Sequence, residues 1–214
     1  MRVRTRPSRV AVAAGHVLPR RFYERPAPRV ARALLGCVLI SRIGGSLTGG
    51  RIVETEAYLG PEDGASHAAF RPSSRWLFYG RGGIAYVFRA YGLHHCLNAI
   101  AGPRGTPGCV LIRAIEPLWG LRVMARRRDQ VAPGRSTKGL VALASGPARL
   151  TQALGITLRD TGRDLRRGTL TIHAAARPGR PTVATGARVG ITRSRELPLR
   201  FWIRDDPFVS RRTP

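Results

Sequence analysis

The chain has 214 residues, 43% of them apolar, and sets 37 Lys+Arg against 12 Asp+Glu for a formal net charge of +25. That length and apolar content support one domain with a packed core and exclude a wholly disordered chain; no run approaches the ~20 apolar residues of a membrane-spanning helix. So basic a balance favours a phosphate polyanion or an anionic surface as partner.

Lys138 is the only lysine, so nearly all of the charge is arginine, whose planar fork suits bidentate phosphate contacts. An arginine bias also follows from genome base composition, so charge indicates a class of partner and not a reaction. Cys37, Cys96 and Cys109 lie far apart with no C-x-x-C spacing. That excludes a zinc ribbon or a disulfide scaffold and fits a reducing cytoplasm.

In chain order, residues 1–18 read as a basic flexible arm, because the apolar run VAVAAGHVL is too short and too interrupted for a signal peptide. Residues 19–214 read as one domain. The segment 27-APRVARALLG-36 is an amphipathic helix stopped at Gly36, followed by the strand CVLISRI. The glycine pairs at 44–45 and 49–50 punctuate a hairpin into the strand 51-RIVETEAYLG-60. Residues 60–83 are loop-rich, and two strands follow, 84-IAYVFRAYG-92 and 93-LHHCLNAIA-101.

Beyond a turn come the strand 109-CVLIRAIEP-117 and a helix over 118-LWGLRVMARRR-128, with Leu118, Leu121 and Met124 on its apolar stripe. Residues 129–146 read as a polar loop, 147-PARLTQALGI-156 as a short helix, and the remainder as short strands such as GTLTIHAA, ARVGIT and LRFWIRD. The predicted fold is α+β: a single mixed domain with a curved, mainly antiparallel β-sheet flanked by helices.

The chemistry concentrates between residues 54 and 98. Alternation along a strand puts Ile52, Glu54, Glu56 and Tyr58 on one face and Val53, Thr55 and Ala57 on the other. A sheet with one wet face would account for the glutamates. Tyr86, Phe88 and Tyr91 beside a basic surface suit base stacking, although aromatics at strand spacing also build cores. His94 and Cys96 could share a strand face, but no second ligand pair has zinc spacing. A metal hydrolase using His67, His94 and Cys96 is a third reading. No P-loop, dinucleotide fingerprint or nucleophile elbow is present.

Several motifs, in one order, are similar to those of the alkyladenine (3-methyladenine) DNA glycosylases, which excise damaged purines. They are 22-FYERPAPRVARALLG-36, 51-RIVETEAYLGPEDGASH-67, YGLHHCLN, 109-CVLIRAIEPLWGL-121, 145-SGPARLTQALGI-156, 187-ARVGI-191 and 199-LRFWIRDDPFVS-210. The resemblance implies that Glu56 is the general base and that Arg113 helps hold the attacking water; a buried-strand arginine also needs a carboxylate partner, which Glu56 would supply. It implies no catalytic role for Glu54.

The main-chain carbonyl of Val189 is implied as a further water contact. Tyr58, His67 and Phe88 are implied as the walls around a flipped base, Asn98 as the group that disfavours guanine, and Tyr91 as the side chain that enters the duplex. Phe88 stands where the family has tyrosine, and 68-AAFRPSSRWLFYGR-81 departs from the family's loop. Lys138 matches no Schiff-base nucleophile, so the resemblance implies a monofunctional enzyme with no metal or organic cofactor. It further implies duplex DNA with damaged purines as partner, no membrane, a monomer, and a cytoplasmic location (nucleoid-associated in a bacterium). A non-catalytic basic nucleic-acid-binding protein is the alternative from a different class.

Overall fold

The structure, a computed structural model, describes residues 14–132, 136–176, 179 and 181–210. In chain order these form β1 (Ala14–Val17), α1 (Arg20–Tyr23), α2 (Ala27–Leu34), β2 (Val38–Ser41), β3 (Thr48–Tyr58), α3 (His67–Phe70), α4 (Arg75–Phe78), β4 (Ala85–Ala90), β5 (His94–Ile100) and β6 (Cys109–Trp119). Then come α5 (Leu121–Arg127), α6 (Thr137–Ala144), α7 (Pro147–Leu154), β7 (Leu170–Ala175), β8 (Val183–Gly186) and β9 (Arg200–Ile203). The strands make an open nine-stranded sheet in the order β1-β7-β2-β3-β6-β5-β4, with β9 on β3 and β8 on β9. The pairings are antiparallel. The α+β architecture expected from the sequence is the one that forms. Of the segment expected as an arm, residues 1–13 lie outside the described residues, and Ala14–Val17 are β1, paired with β7.

The helix α2 buries Ala27, Val30, Ala31 and Leu34, an i, i+3, i+4, i+7 stripe that faces the core. Thr55 Oγ1 donates to its Ala31 carbonyl at 3.0 Å, tying the helix to β3. Along β3, Ile52, Val53 and Ala57 enter the principal core, while Glu54 and Glu56 are both 0% exposed. The wet-face account of the glutamates therefore fails.

Strict alternation fails as well. Pairing with β6 runs Thr55 to Ile112 but Glu54 to Ala114, with register shifts around Glu54, so Arg113 is the extra residue of a bulge. A bulge re-aims a side chain and breaks the parity of the faces beyond it. Arg113 faces the glutamates there, and a second irregularity, with Val53 the extra residue of β3, accompanies the turn of Ile52 into the core.

Other expectations need correction. Gly49 and Gly50 lie inside β3 and pair with β2, rather than marking a turn. A Cβ on Gly49 would sit 2.6 Å from the Leu39 carbonyl oxygen, and one on Gly50 would collide with that of Glu116. These glycines permit close backbone approach. The segment 129–146 contains α6, started by Ser136, whose hydroxyl accepts from Gly139 N at 3.0 Å. Its Leu140, Leu143 and Ala144 are buried, and that burial outweighs the polar look of the segment. ARVGIT is loop, not strand. Leu118 belongs to β6, which runs on to Trp119, and α5 starts only at Leu121. Among the described residues no helix is long and apolar enough to cross a membrane.

Candidate active site

A cavity of about 660 Å³ opens between the β4–β5 hairpin, the loop after β3 and the loop around Val189. Tyr58, His67, Phe88, Tyr91, Asn98, Arg113 and Val189 all line it. The residues singled out in the sequence thus come to one place. Glu56 is fully buried beneath them.

Two hydrogen bonds and an ion pair fix the Glu56 carboxylate. Val189 N donates to Oε1 at 2.7 Å, the Tyr58 hydroxyl donates to Oε2 at 2.8 Å, and Arg113 Nη1 lies 3.1 Å from Oε1. A carboxylate has about four acceptor sites, so these contacts leave room for the proton of a water. Val189 meets Glu56 through its amide N–H, a contact separate from the water contact expected of its carbonyl. Arg113 does pair with Glu56, but its shortest bond is Nε to Glu54 Oε1 at 2.7 Å.

Burial pushes the Tyr58 hydroxyl well above its ordinary range, and the neighbouring Glu56 charge adds to that. The phenol therefore stays protonated and donates. Desolvation works against ionised Glu54, yet the Arg113, Ser210 and Arg200 donors outweigh it and hold the carboxyl below the usual range.

The loop after β3 is built to present His67. Ser66 Oγ donates to Leu59 O at 2.6 Å and accepts from Ala68 N, while Asp63 Oδ2 accepts from Leu59 N. The His67 ring meets Phe88 edge-on at a 4.3 Å centroid distance, and its Nδ1 is 2.7 Å from the Tyr86 hydroxyl. Burial, reinforced by Arg71, lowers the His67 pKa to about 4, so the imidazole is neutral near pH 7 and presents an uncharged ring. Asn98 is locked deeper in: its Nδ2 donates to the Tyr86 and Cys96 carbonyls and its Oδ1 faces the Cys109 thiol at 3.7 Å. Burial raises the Cys96 and Cys109 thiols to about 11 and about 12, so both line the cavity as neutral, weakly polar groups.

At the tip of the β4–β5 hairpin, Tyr91 is 83% exposed and has φ 50°, a left-handed conformation unusual for a tyrosine. It juts out beside the cavity mouth, where Arg71, Arg89 and Arg193 add positive charge. A wall of aromatic rings, a fixed carboxylate below and an exposed aromatic at a cationic rim suit a planar base drawn out of a polyanionic duplex.

Comparison with known proteins points the same way: residues 21–207 match the family model of methylpurine-DNA glycosylases. The chain belongs to that family. A relative from the archaeon Methanoculleus marisnigri, provisionally named a 3-methyladenine DNA glycosylase, is 43% identical over 198 residues, covering 91% of this chain and 99% of that one. The human DNA-3-methyladenine glycosylase is 41% identical over 206 residues, 88% of this chain and 66% of the human one.

Three participants escaped the sequence reading of this methylpurine-DNA glycosylase family member. Arg188 is buried, forks onto Asp63 at 2.6 and 2.8 Å, and stacks its guanidinium 4.7 Å from the Tyr58 ring centroid. Tyr86 is one of several aromatics in the sequence, and only the fold makes it the partner of His67. Ser210 reaches both Arg113 and Glu54. Each is defined by a contact distant in sequence, which no local pattern carries. Among the described residues no group of three His, Cys, Asp or Glu gathers as a metal site; His94 is exposed and Cys96 buried.

Proposed function

We propose that the protein is a monofunctional DNA glycosylase of base excision repair, hydrolysing the N-glycosidic bond of alkylated or deaminated purines of the 3-methyladenine, 7-methylguanine, hypoxanthine and ethenoadenine class. Its substrate is duplex DNA, from which the damaged nucleotide is flipped into the cavity as Tyr91 fills the space it leaves. Extrusion costs a few kcal/mol, least at damaged pairs, and stacking on Tyr58, His67 and Phe88 offsets it. Glu56 takes a proton from the attacking water, and its negative charge stabilises the oxocarbenium-like sugar. Arg113, paired with that carboxylate, holds the water beside it. Asn98, fixed in one orientation, opposes the 2-amino group of guanine.

The observation that carries the reading is a fully buried glutamate held by two hydrogen bonds and an arginine under a ring-lined cavity in a chain of net charge +25. Burying a carboxylate where a polyanion binds weakens that binding, so chemistry is its rationale. The sole lysine, Lys138, is exposed on α6 and does not line the cavity, in keeping with hydrolysis rather than Schiff-base strand cleavage. The protein acts as a monomer in the cytoplasm, on the nucleoid in a bacterium.

Single-turnover base release from duplexes carrying hypoxanthine or ethenoadenine, and from methylated genomic DNA, tests this reading. Wild type releases base, and Glu56→Gln retains DNA binding while losing at least about a hundredfold in rate, the lower range for general-base removal. Tight binding with no release by wild type from any of these substrates would favour the non-catalytic nucleic-acid-binding alternative. Borohydride trapping of a covalent adduct would overturn the monofunctional assignment.

A further inference from the structure

Glu54 is as deeply buried as Glu56, and hydrolysis by Glu56 gives it no task of its own. Its two oxygens have separate tasks. Oε1 accepts from Arg113 Nε at 2.7 Å and from Arg200 Nε at 2.8 Å, whereas Oε2 accepts from the main-chain N–H of Ser210 at 2.7 Å. Ser210 returns the contact: its hydroxyl accepts from Arg113 Nη2 at 3.3 Å. All three nitrogens of the Arg113 guanidinium are thereby engaged, and only Nη1 goes to Glu56.

The segment carrying Ser210 is itself anchored. Asp206 pairs with Arg51 at 2.6 Å and accepts from Phe208 N, and the Phe208 ring lies in the principal core. The chain therefore delivers the Ser210 N–H and hydroxyl to fixed positions, about 150 residues from β3, at a separation (156) that only the fold brings together.

We propose that Glu54 and Ser210 are positioning residues for hydrolysis: together they set the angle of Arg113 and share its charge, so that Arg113 presents Glu56 as the base without being its partner alone. The inference rests on Glu56 being the base. Two consequences of the geometry make it specific. First, Glu54 must offer two acceptor oxygens. In Glu54→Gln the amide oxygen can still take both arginine Nε groups, but its NH₂ then faces the Ser210 N–H, donor against donor. Second, removing the Glu54 charge gives the whole field of Arg113 and Arg200 to Glu56. The other groups around Glu56, namely Tyr58 on its own strand, Arg188 and Val189 from the loop and the neutral Cys96 thiol on β5, are unchanged.

The experiment is the pH dependence of single-turnover hypoxanthine release, at saturating enzyme, for wild type, Glu54→Gln, Ser210→Ala and Ser210→Thr, with duplex affinity and thermal melting measured alongside. The acid limb reports protonation of the base. Glu54→Gln moves that limb about one pH unit lower, the direction for a carboxylate that gains cationic field, and lowers the plateau. Ser210→Ala, which deletes one hydrogen bond to Arg113, lowers the plateau roughly threefold to tenfold without changing duplex affinity, and Ser210→Thr restores it. An unmoved acid limb in Glu54→Gln, or a Ser210→Ala plateau equal to wild type, overturns the proposal even if melting falls. Should Glu54→Gln fail to fold, the Ser210 pair decides alone. The reference variant Glu56→Gln separates the two levels: if it is inactive while these results fail, the base assignment stands and the positioning role does not. Full activity of Glu56→Gln removes both.

Discussion

Tyr58 is gripped from two sides at the scale of single residues: its hydroxyl donates to Glu56 and its ring lies over the Arg188 guanidinium. Arg188 can occupy that place only because Asp63 neutralises it through a two-pronged pair in which both side chains are 0% exposed. Removing one partner of such a pair leaves an uncompensated buried charge. Asp63→Asn, close to isosteric, is therefore expected to lower the unfolding free energy by about 3–5 kcal/mol, measured by urea denaturation at neutral pH. His67 makes a second prediction. Its folded pKa, near 4, lies below the ordinary 6.5, so between those values the unfolded chain binds more protons than the folded one. Stability contributed by keeping His67 neutral is present above that window and is lost as pH falls through it. In His67→Phe the slope of unfolding free energy against pH is shallower across this window by up to about one proton; an unchanged slope would mean His67 is not held neutral. Glu56, Tyr58 and His67 were legible because one short motif carries them. Arg188 was not: among 37 Lys+Arg nothing local marks the arginine that turns inward, and its partner is 125 residues away.

At the scale of elements, the site depends on β3 and β6 being paired out of simple register. Period-2 alternation placed Glu54 and Glu56 together correctly, but it could not foresee the bulge that presents Arg113 to both. Helix α6 was hidden for a comparable reason: STKGLVALA is short, contains a glycine and lies next to polar loop, so its buried Leu140 and Leu143 outweigh weak local propensity only once α7 and β6 are beside it. The glycine pair in β3 misled in the opposite direction. Read as a turn, it is a place where strands crowd, and a methyl on Gly50 would meet the Glu116 backbone carbonyl, which cannot swing aside as a side chain can. Gly50→Ala is accordingly expected to cost about 1–3 kcal/mol in stability, the usual range for overpacking. Because Glu116 is on β6 three residues beyond Arg113, the same variant should also reduce base release at saturating enzyme. A variant as stable as wild type would show that the strands can separate locally at this point.

Across the whole molecule, the acidic side chains are spent inward. Glu54, Glu56, Asp63, Glu116, Asp160, Asp164 and Asp206 are all in ion pairs with arginine, and none of them is a fully exposed side chain. Seven of the 12 carboxylates thus balance local charge, and the remaining arginines leave a surface of strongly positive potential. Around the cavity mouth Arg89 and Arg193 are exposed and have no ion-pair partner among the described residues. Both line the cavity with Tyr91, so on the proposed function they would meet the phosphates flanking the extruded nucleotide. A contact of that kind carries no information about the base, so its removal must weaken damaged and undamaged duplex by the same factor. It must also release fewer counterions: Arg89→Ala is expected to reduce the slope of log affinity against log salt by about one. Measuring affinity for a hypoxanthine duplex and its undamaged counterpart over a range of salt concentrations decides the matter. Equal losses with a reduced slope place Arg89 on the backbone, whereas a loss confined to the damaged duplex would mean that it reads the flipped base, and the mouth of the cavity would then have to be counted as part of its specificity.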